Sequence, residues 1–144
     1  MSLAVLIVDT NVVTAGLITL RRESPVARIL DTMLGGSLRF LLSPALLGEY
    51  RRVLLRDRLA ALHGLKPAEI DDILTELVAN AIWHEPSGRK GSAPDPGDDH
   101  LWALLEAHPH SLLVTGDRLL LNKPPRDGCV LSPKACVARF LDSD

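Results

Sequence analysis

A three-layer α/β/α fold with a short, mainly parallel central sheet is what this 144-residue sequence predicts. Five short apolar runs alternate with stretches of helical period, the grammar of strands joined by crossover helices. The first run, Leu3 to Val8, has no period-two alternation, so both of its faces must be covered, as in a parallel sheet. It also stops abruptly at Asp9, Thr10 and Asn11. Ligands of open parallel sheets sit beyond the carboxyl ends of the strands, which makes Asp9 the place where a site would begin.

Each element has a local cause. Val13, Leu17 and Leu20 recur at helical spacing, so the first strand turns directly into a helix over Thr10 to Leu20. Ser24-Pro25 supplies an N-cap and a first-turn proline for a second helix, striped by Val26, Ile29, Leu30, Met33 and Leu34 and ended by Gly35-Gly36. Leu38 to Leu42 is a strand running into a helix capped by Ser43-Pro44, with Leu46, Leu47, Val53 and Leu54 toward the core. Pro67 opens an amphipathic helix in which Ile70, Ile73, Leu74, Leu77 and Val78 form the apolar face and Glu69, Asp71, Asp72 and Glu76 the wet one. Ala81 to Trp83 is a brief strand. Glu85 to Gly97, rich in proline, glycine, serine and charge, is the longest loop and is expected to act as a flap over the site. A helix follows over Asp98 to Ala107, then a strand over Leu112 to Val114 ending in Thr115-Gly116-Asp117. Cys129 to Leu131, Ser132-Pro133 and a helix to Leu141 close the chain.

The totals narrow the function classes. With 47% hydrophobic residues the chain fits one domain over residues 1–144. A net charge of -2 and a pI near 6.2 exclude a strongly basic nucleic-acid-coating protein while leaving room for a local basic patch. Two cysteines, Cys129 and Cys136, cannot build a disulfide framework and are expected as small buried groups in a reducing cytoplasm. The apolar start has no basic lead-in and is far shorter than the roughly 20 residues of a spanning helix, so no membrane segment is expected. Trp83 and Trp102 are expected in the core, since aromatics at 3% leave little for base stacking.

Asp9, Asp117 and the Asp98/Asp99 pair all stand where a strand hands over to a helix or turn. Parallel strands bring such positions to one edge. Glu49 lies five residues after Pro44, about 7.5 Å along a helix at ~1.5 Å per residue, and helical side chains lean back toward the amino terminus. Its carboxylate therefore reaches for the same edge. Clustered carboxylates raise one another's pKa unless a cation compensates. Oxygen ligands without nearby cysteine or spaced histidine suit one or two Mg²⁺ or Mn²⁺ ions, which activate water and shield phosphodiester oxygens. Taken singly, each residue has a plainer account: Asp9 and Asp98 as helix caps, Asp117 as a turn residue, Glu49 as a solvated helix residue.

Ile-Val-Asp-Thr-Asn at the start, Ser-Pro-Ala-Leu-Leu-Gly-Glu-Tyr, Asp-Pro-Gly-Asp-Asp-His-Leu and Leu-Val-Thr-Gly-Asp-Arg-Leu-Leu together resemble the PIN-domain family in order and spacing over nearly the whole chain. The resemblance is strongest to small single-domain toxins of toxin-antitoxin systems. It implies a metal-dependent endoribonuclease, an RNA substrate and a small antitoxin that covers the acidic cleft, and it allows a homodimer. Position by position, Asp9, Glu49, Asp98 and Asp117 match the family's acidic set, and Thr10, Asn11 and Thr115 its polar supporting shell. Three carboxylates in Asp95-Pro96-Gly97-Asp98-Asp99 compete for one family position. Asp98 ranks first, because Leu101, Trp102 and Leu105 fall three, four and seven residues after it, and Asp99 second. Many members carry an acidic residue shortly after the position of Asp117, where this chain has Arg118-Leu119-Leu120-Leu121.

For the substrate backbone the candidates are Arg118, directly after Asp117, and Arg52 in the basic stretch Arg51, Arg52, Arg56 and Arg58, with Arg21, Arg22, Arg89 and Lys90 further off. His100 stands beside Asp99 without a strong claim on the site, and His108-Pro109-His110 is expected as a surface turn. Two other function classes compete. An inactive interaction module would keep the fold without the chemistry. An aspartate phosphotransfer receiver would need paired acids after its first strand and a phosphoacceptor after a middle one, yet Asp9 stands alone and Leu42 leads into Ser43-Pro44.

Overall fold

The computed structural model describes residues 4–86 and 93–142. Strands β1 (Val5–Val8), β4 (Ser111–Val114) and β5 (Val130–Leu131) form a parallel sheet in the order β1-β4-β5, and β2 (Leu41–Leu42) pairs in parallel with β3 (Ile82–Trp83). A single parallel bridge, Leu6 to Phe40, joins the two halves. The strands thus run in the order 3-2-1-4-5, and helices complete a three-layer α/β/α fold. The order reverses between β1 and β4, so the crevice past their carboxyl ends is a topological switch point. Asp9 and Thr115 follow directly on β1 and β4.

The core is built where the apolar runs predict it. Leu6, Ile7 and Val8 are buried, together with Leu113 and Val114 opposite them. Helix α1 (Thr10–Ile18) lies against α2 (Pro25–Leu34). That approach depends on Gly16, where an added Cβ would lie 2.5 Å from the Val26 carbonyl oxygen and 3.0 Å from the Leu30 Cβ. Ser24, Ser43 and Ser132 each accept a hydrogen bond from the backbone N–H three residues on and so cap α2, α3 (Pro44–Leu54) and α8 (Pro133–Cys136). Tyr50 on α3 is fully buried, and its hydroxyl donates to the Val8 carbonyl. That carbonyl points toward β2, which is bridged to β1 only at Phe40, so Tyr50 replaces a missing strand partner just before Asp9.

Several expectations need correction. The first helix stops at Ile18 rather than Leu20, because Thr19 is extended and Arg22 takes the Gly16 and Thr19 carbonyls; Leu20 is 97% exposed. The second strand is regular only over Leu41–Leu42. Two helices carried no sequence signal: α4 (Asp57–His63), which buries no residue, and the short α7 (Arg118–Asn122). Trp83 is half exposed rather than in the core, because β3 lies at the sheet's edge, whereas Trp102 is buried. Val78 also lies outside the buried stripe of α5 (Pro67–Asn80), whose core residues are Ile70, Leu74 and Leu77. The last helix does reach Leu141, but its final turn, Val137–Leu141, is π-helical. Both cysteines are buried free thiols, and burial pushes Cys136 up to about 11, which keeps it unreactive. Leu3, Arg89, Lys90 and the middle of the loop expected as a flap lie outside the described residues.

Candidate active site

Beyond the ends of β1 and β4 an open cleft of about 530 Å³ is lined by Asp9, Glu49, Asp98 and Asp117 together with the apolar Ala15, Ile18 and Val53. The four acidic residues that the sequence singles out therefore share one cavity. Asp9, at 4% exposed, is the most deeply set of them. Its Oδ1 accepts from the Thr10 N–H at 2.8 Å, capping α1, while Oδ2 accepts from the Thr115 hydroxyl at 2.8 Å and the Asn11 amide at 3.2 Å. Burial raises its pKa, the Thr115 and Thr10 hydrogen bonds lower it, and the Glu49 charge raises it again.

The supporting shell is a closed circuit. The Thr115 hydroxyl donates to Asp9 and accepts from the Asp117 N–H at 3.0 Å, so one side chain ties the Asp9 carboxylate to the Asp117 backbone. Asn11 donates from its amide nitrogen to Asp9 and Thr115, and its Oδ1 accepts from the Gly116 N–H at 2.9 Å. Asp117 itself caps α7, with Oδ1 accepting from the Leu119 N–H at 2.9 Å. Capping and lining the cleft are compatible here, because a carboxylate has a second oxygen to offer.

Glu49 arrives from α3 as the helical geometry predicts. Its Oε1 accepts from the Thr10 hydroxyl, and Oε2 lies 3.8 Å from His100 Nε2 and 3.9 Å from an Arg52 guanidinium nitrogen. The His100 imidazole does most to hold Glu49 below the usual carboxylate range; burial opposes this, and Thr10 and Arg52 assist.

Asp98 and Asp99 separate cleanly. Asp98 ends a 3-10 turn, Pro96–Asp98, and lines the cleft, whereas Asp99 opens α6 (Asp99–Ala107) and accepts from the Ala93 N–H at 3.0 Å. Burial first, then the charges of Asp9, Asp95, Glu49 and Asp117, push Asp98 up to about 6. The folded protein thus favours protonated Asp98, and this contribution to stability is lost as pH rises from the ordinary carboxylate range through about 6. In chelator-treated protein Asp98→Asn is therefore expected to be the more stable form at pH 7.5, by about 1 kcal/mol after solvent screening. The gain should vanish near pH 4, and thermal melts of both proteins at the two pH values check it.

Among the described residues no three carboxylates or imidazoles already close on a single point. The donor set nevertheless suits a divalent cation: it is all oxygen, it is buried and crowded enough to raise Asp98, and it is partly held in place by Thr10, Asn11 and Thr115. Arg118 is exposed and outside the cleft lining. Arg22 is spent on carbonyls and Asp31, and Arg51 pairs with Asp71. Arg56, which the sequence offers only as part of a basic stretch, is the arginine that lines the cleft among the described residues. His100, which has no strong claim on the site from residue order, reaches Glu49; its place two residues past Asp98 at the start of a helix is the signal the sequence carries.

The fold is thus a parallel α/β sheet with an acidic cleft at its switch point. A family model described as a PIN domain matches residues 5–119, and the chain belongs to the PIN-domain family. PIN domains are generally nucleases that act on nucleic acids and usually use divalent metals. No curated protein matches the chain. Among the described residues no helix is long and apolar enough to cross a membrane.

Proposed function

We propose that this protein is an endoribonuclease that hydrolyses RNA phosphodiester bonds with Mg²⁺ or Mn²⁺, leaving a 5′-phosphate and a 3′-hydroxyl. The observation that carries the reading is the convergence of Asp9, Glu49, Asp98 and Asp117 on one cleft, where burial and the neighbouring charges push Asp98 up to about 6. Asp9, Asp98 and Asp117 would hold the ion, and Glu49 would bind it as well or orient the attacking water. A divalent cation bound there neutralises phosphodiester oxygens and acidifies water. Thr115 and Asn11 keep Asp9 and Asp117 in register, and Thr10 keeps Glu49 turned toward them. Arg56 at the cleft, with Arg52 and Arg118 outside it, supplies positive charge for the flanking phosphates, which a chain of net charge -2 does not provide globally.

Purified protein is expected to cleave a labelled RNA in the presence of Mn²⁺, to stop on chelation, and to give a calorimetric signal with Mn²⁺ alone. Cleavage that survives chelation, or no RNA cleavage with Mn²⁺ bound, would overturn the reading. The family resemblance also supports a role as the toxin of a toxin-antitoxin pair in the cytoplasm, with a small protein partner seated over the cleft. Expression with and without the neighbouring gene's product tests that role, and equal growth in both cases counts against it.

A further inference from the structure

We propose that His100 is a positioning residue for Glu49: the imidazole Nε2–H steers one carboxylate oxygen while the Thr10 hydroxyl holds the other, so that Glu49 keeps one orientation across the cleft. The catalytic part of this inference rests on the nuclease reading. Three contacts reach the Glu49 carboxylate, one each from α1, α3 and α6. Thr10 donates to Oε1, and His100 Nε2 and Arg52 approach Oε2 at 3.8 and 3.9 Å. The side chains of His100 and Glu49 are 19% and 20% exposed, while Arg52 is 65% exposed. Solvent weakens the arginine contact and leaves His100 as the effective partner of Oε2.

The other face of the ring sets its tautomer. Nδ1 is sealed from solvent and meets no hydrogen-bond partner among the described residues. A buried N–H without an acceptor costs more than a bare lone pair, so the neutral ring carries its proton on Nε2, the nitrogen that faces Glu49. At 3.8 Å the contact is longer than a hydrogen bond and acts by electrostatic attraction. Contacts of this kind tighten when a ligand fills the site. His100 also lies in the first turn of α6, next to the turn that carries Asp98. One helix start thus places Asp98 on the cleft and aims Glu49 at it.

Comparison of His100→Ala with His100→Gln in the full chain tests this. His100→Ala is expected to lower kcat for RNA cleavage about 10-fold with KM within about 2-fold, and His100→Gln, which presents an amide nitrogen at similar reach, to recover most of the loss. Unchanged kcat in His100→Ala, or an equal loss in both variants, overturns the proposal. The second readout needs neither RNA nor metal. In chelator-treated protein the drop in unfolding midpoint caused by His100→Ala is expected to shrink by about half or more in a Glu49→Ala background. Equal drops in both backgrounds overturn the contact itself. Wild-type protein that fails to cleave RNA would sink the nuclease reading alone, since the coupling of His100 to Glu49 is still measured.

Discussion

Asp9→Asn is expected to lower kcat/KM for metal-dependent RNA cleavage by at least about 100-fold, with the fold retained. The substitution preserves shape and removes one charge from the most deeply buried carboxylate of the cleft. It also breaks the hydrogen-bond circuit. Asp9 Oδ2 accepts from both Thr115 and Asn11, so an amide nitrogen placed there sets donor against donor at Asn11. Thr115 cannot easily turn its hydroxyl to compensate, because its oxygen already accepts from the Asp117 N–H and from Asn11. The disturbance therefore reaches Asp117 as well. Stability should change little, because relief of a desolvated charge offsets the mismatched donors. The unfolding midpoint is expected to stay within about 3 °C of wild type. Activity close to wild type in Asp9→Asn, with Mn²⁺ affinity unchanged by calorimetry, would remove Asp9 from the proposed metal set.

Gly16→Ala should give the largest loss of stability, roughly 2 to 3 kcal/mol, seen as a drop of about 6 to 10 °C in the unfolding midpoint. A methyl group at this position meets the Val26 carbonyl oxygen at 2.5 Å and the Leu30 Cβ at 3.0 Å. The first is backbone and cannot rotate aside, so α1 and α2 must separate. Alanine's better helix propensity, worth about 1 kcal/mol, offsets only part of that cost. Because α1 begins at Thr10 immediately after Asp9, its displacement is also transmitted to Thr10 and Asn11, and activity should fall with stability. A midpoint equal to wild type would show that the helices can move apart freely.

What was legible in the sequence follows from the range of the interactions involved. Serine-proline caps act within a few residues, and all three expected helix starts, at Ser24, Ser43 and Ser132, are made as predicted. The run before Asp9 declares a strand covered on both faces, because no polar residue interrupts it. Trp83 is the counterexample. Its neighbours suggest a buried strand, yet burial depends on whether another strand lies outside β3, and none of the described strands does. Helix α4 escaped notice because it buries no side chain and so leaves no apolar stripe to read. The role of Tyr50 is not legible although it adjoins Glu49, since nothing local reveals that the Val8 carbonyl needs a donor.

The sequence by itself determined the layered α/β fold, the strand that ends at Asp9, and the strand-end and helix positions of Asp9, Glu49 and Asp117, because apolar period, capping chemistry and the rule placing strand ends at one edge all act locally or by topology. Only the tertiary structure decided between Asp98, which lines the cleft, and Asp99, which turns to the Ala93 amide. It also brought Arg56 to the cleft and His100 to Glu49. The physical reason is the same in each case. Which of two adjacent carboxylates faces a cavity depends on a fraction of a helical turn, and the partner of a side chain on α3 or α6 is set by how the two helices pack, neither of which is written in residue order.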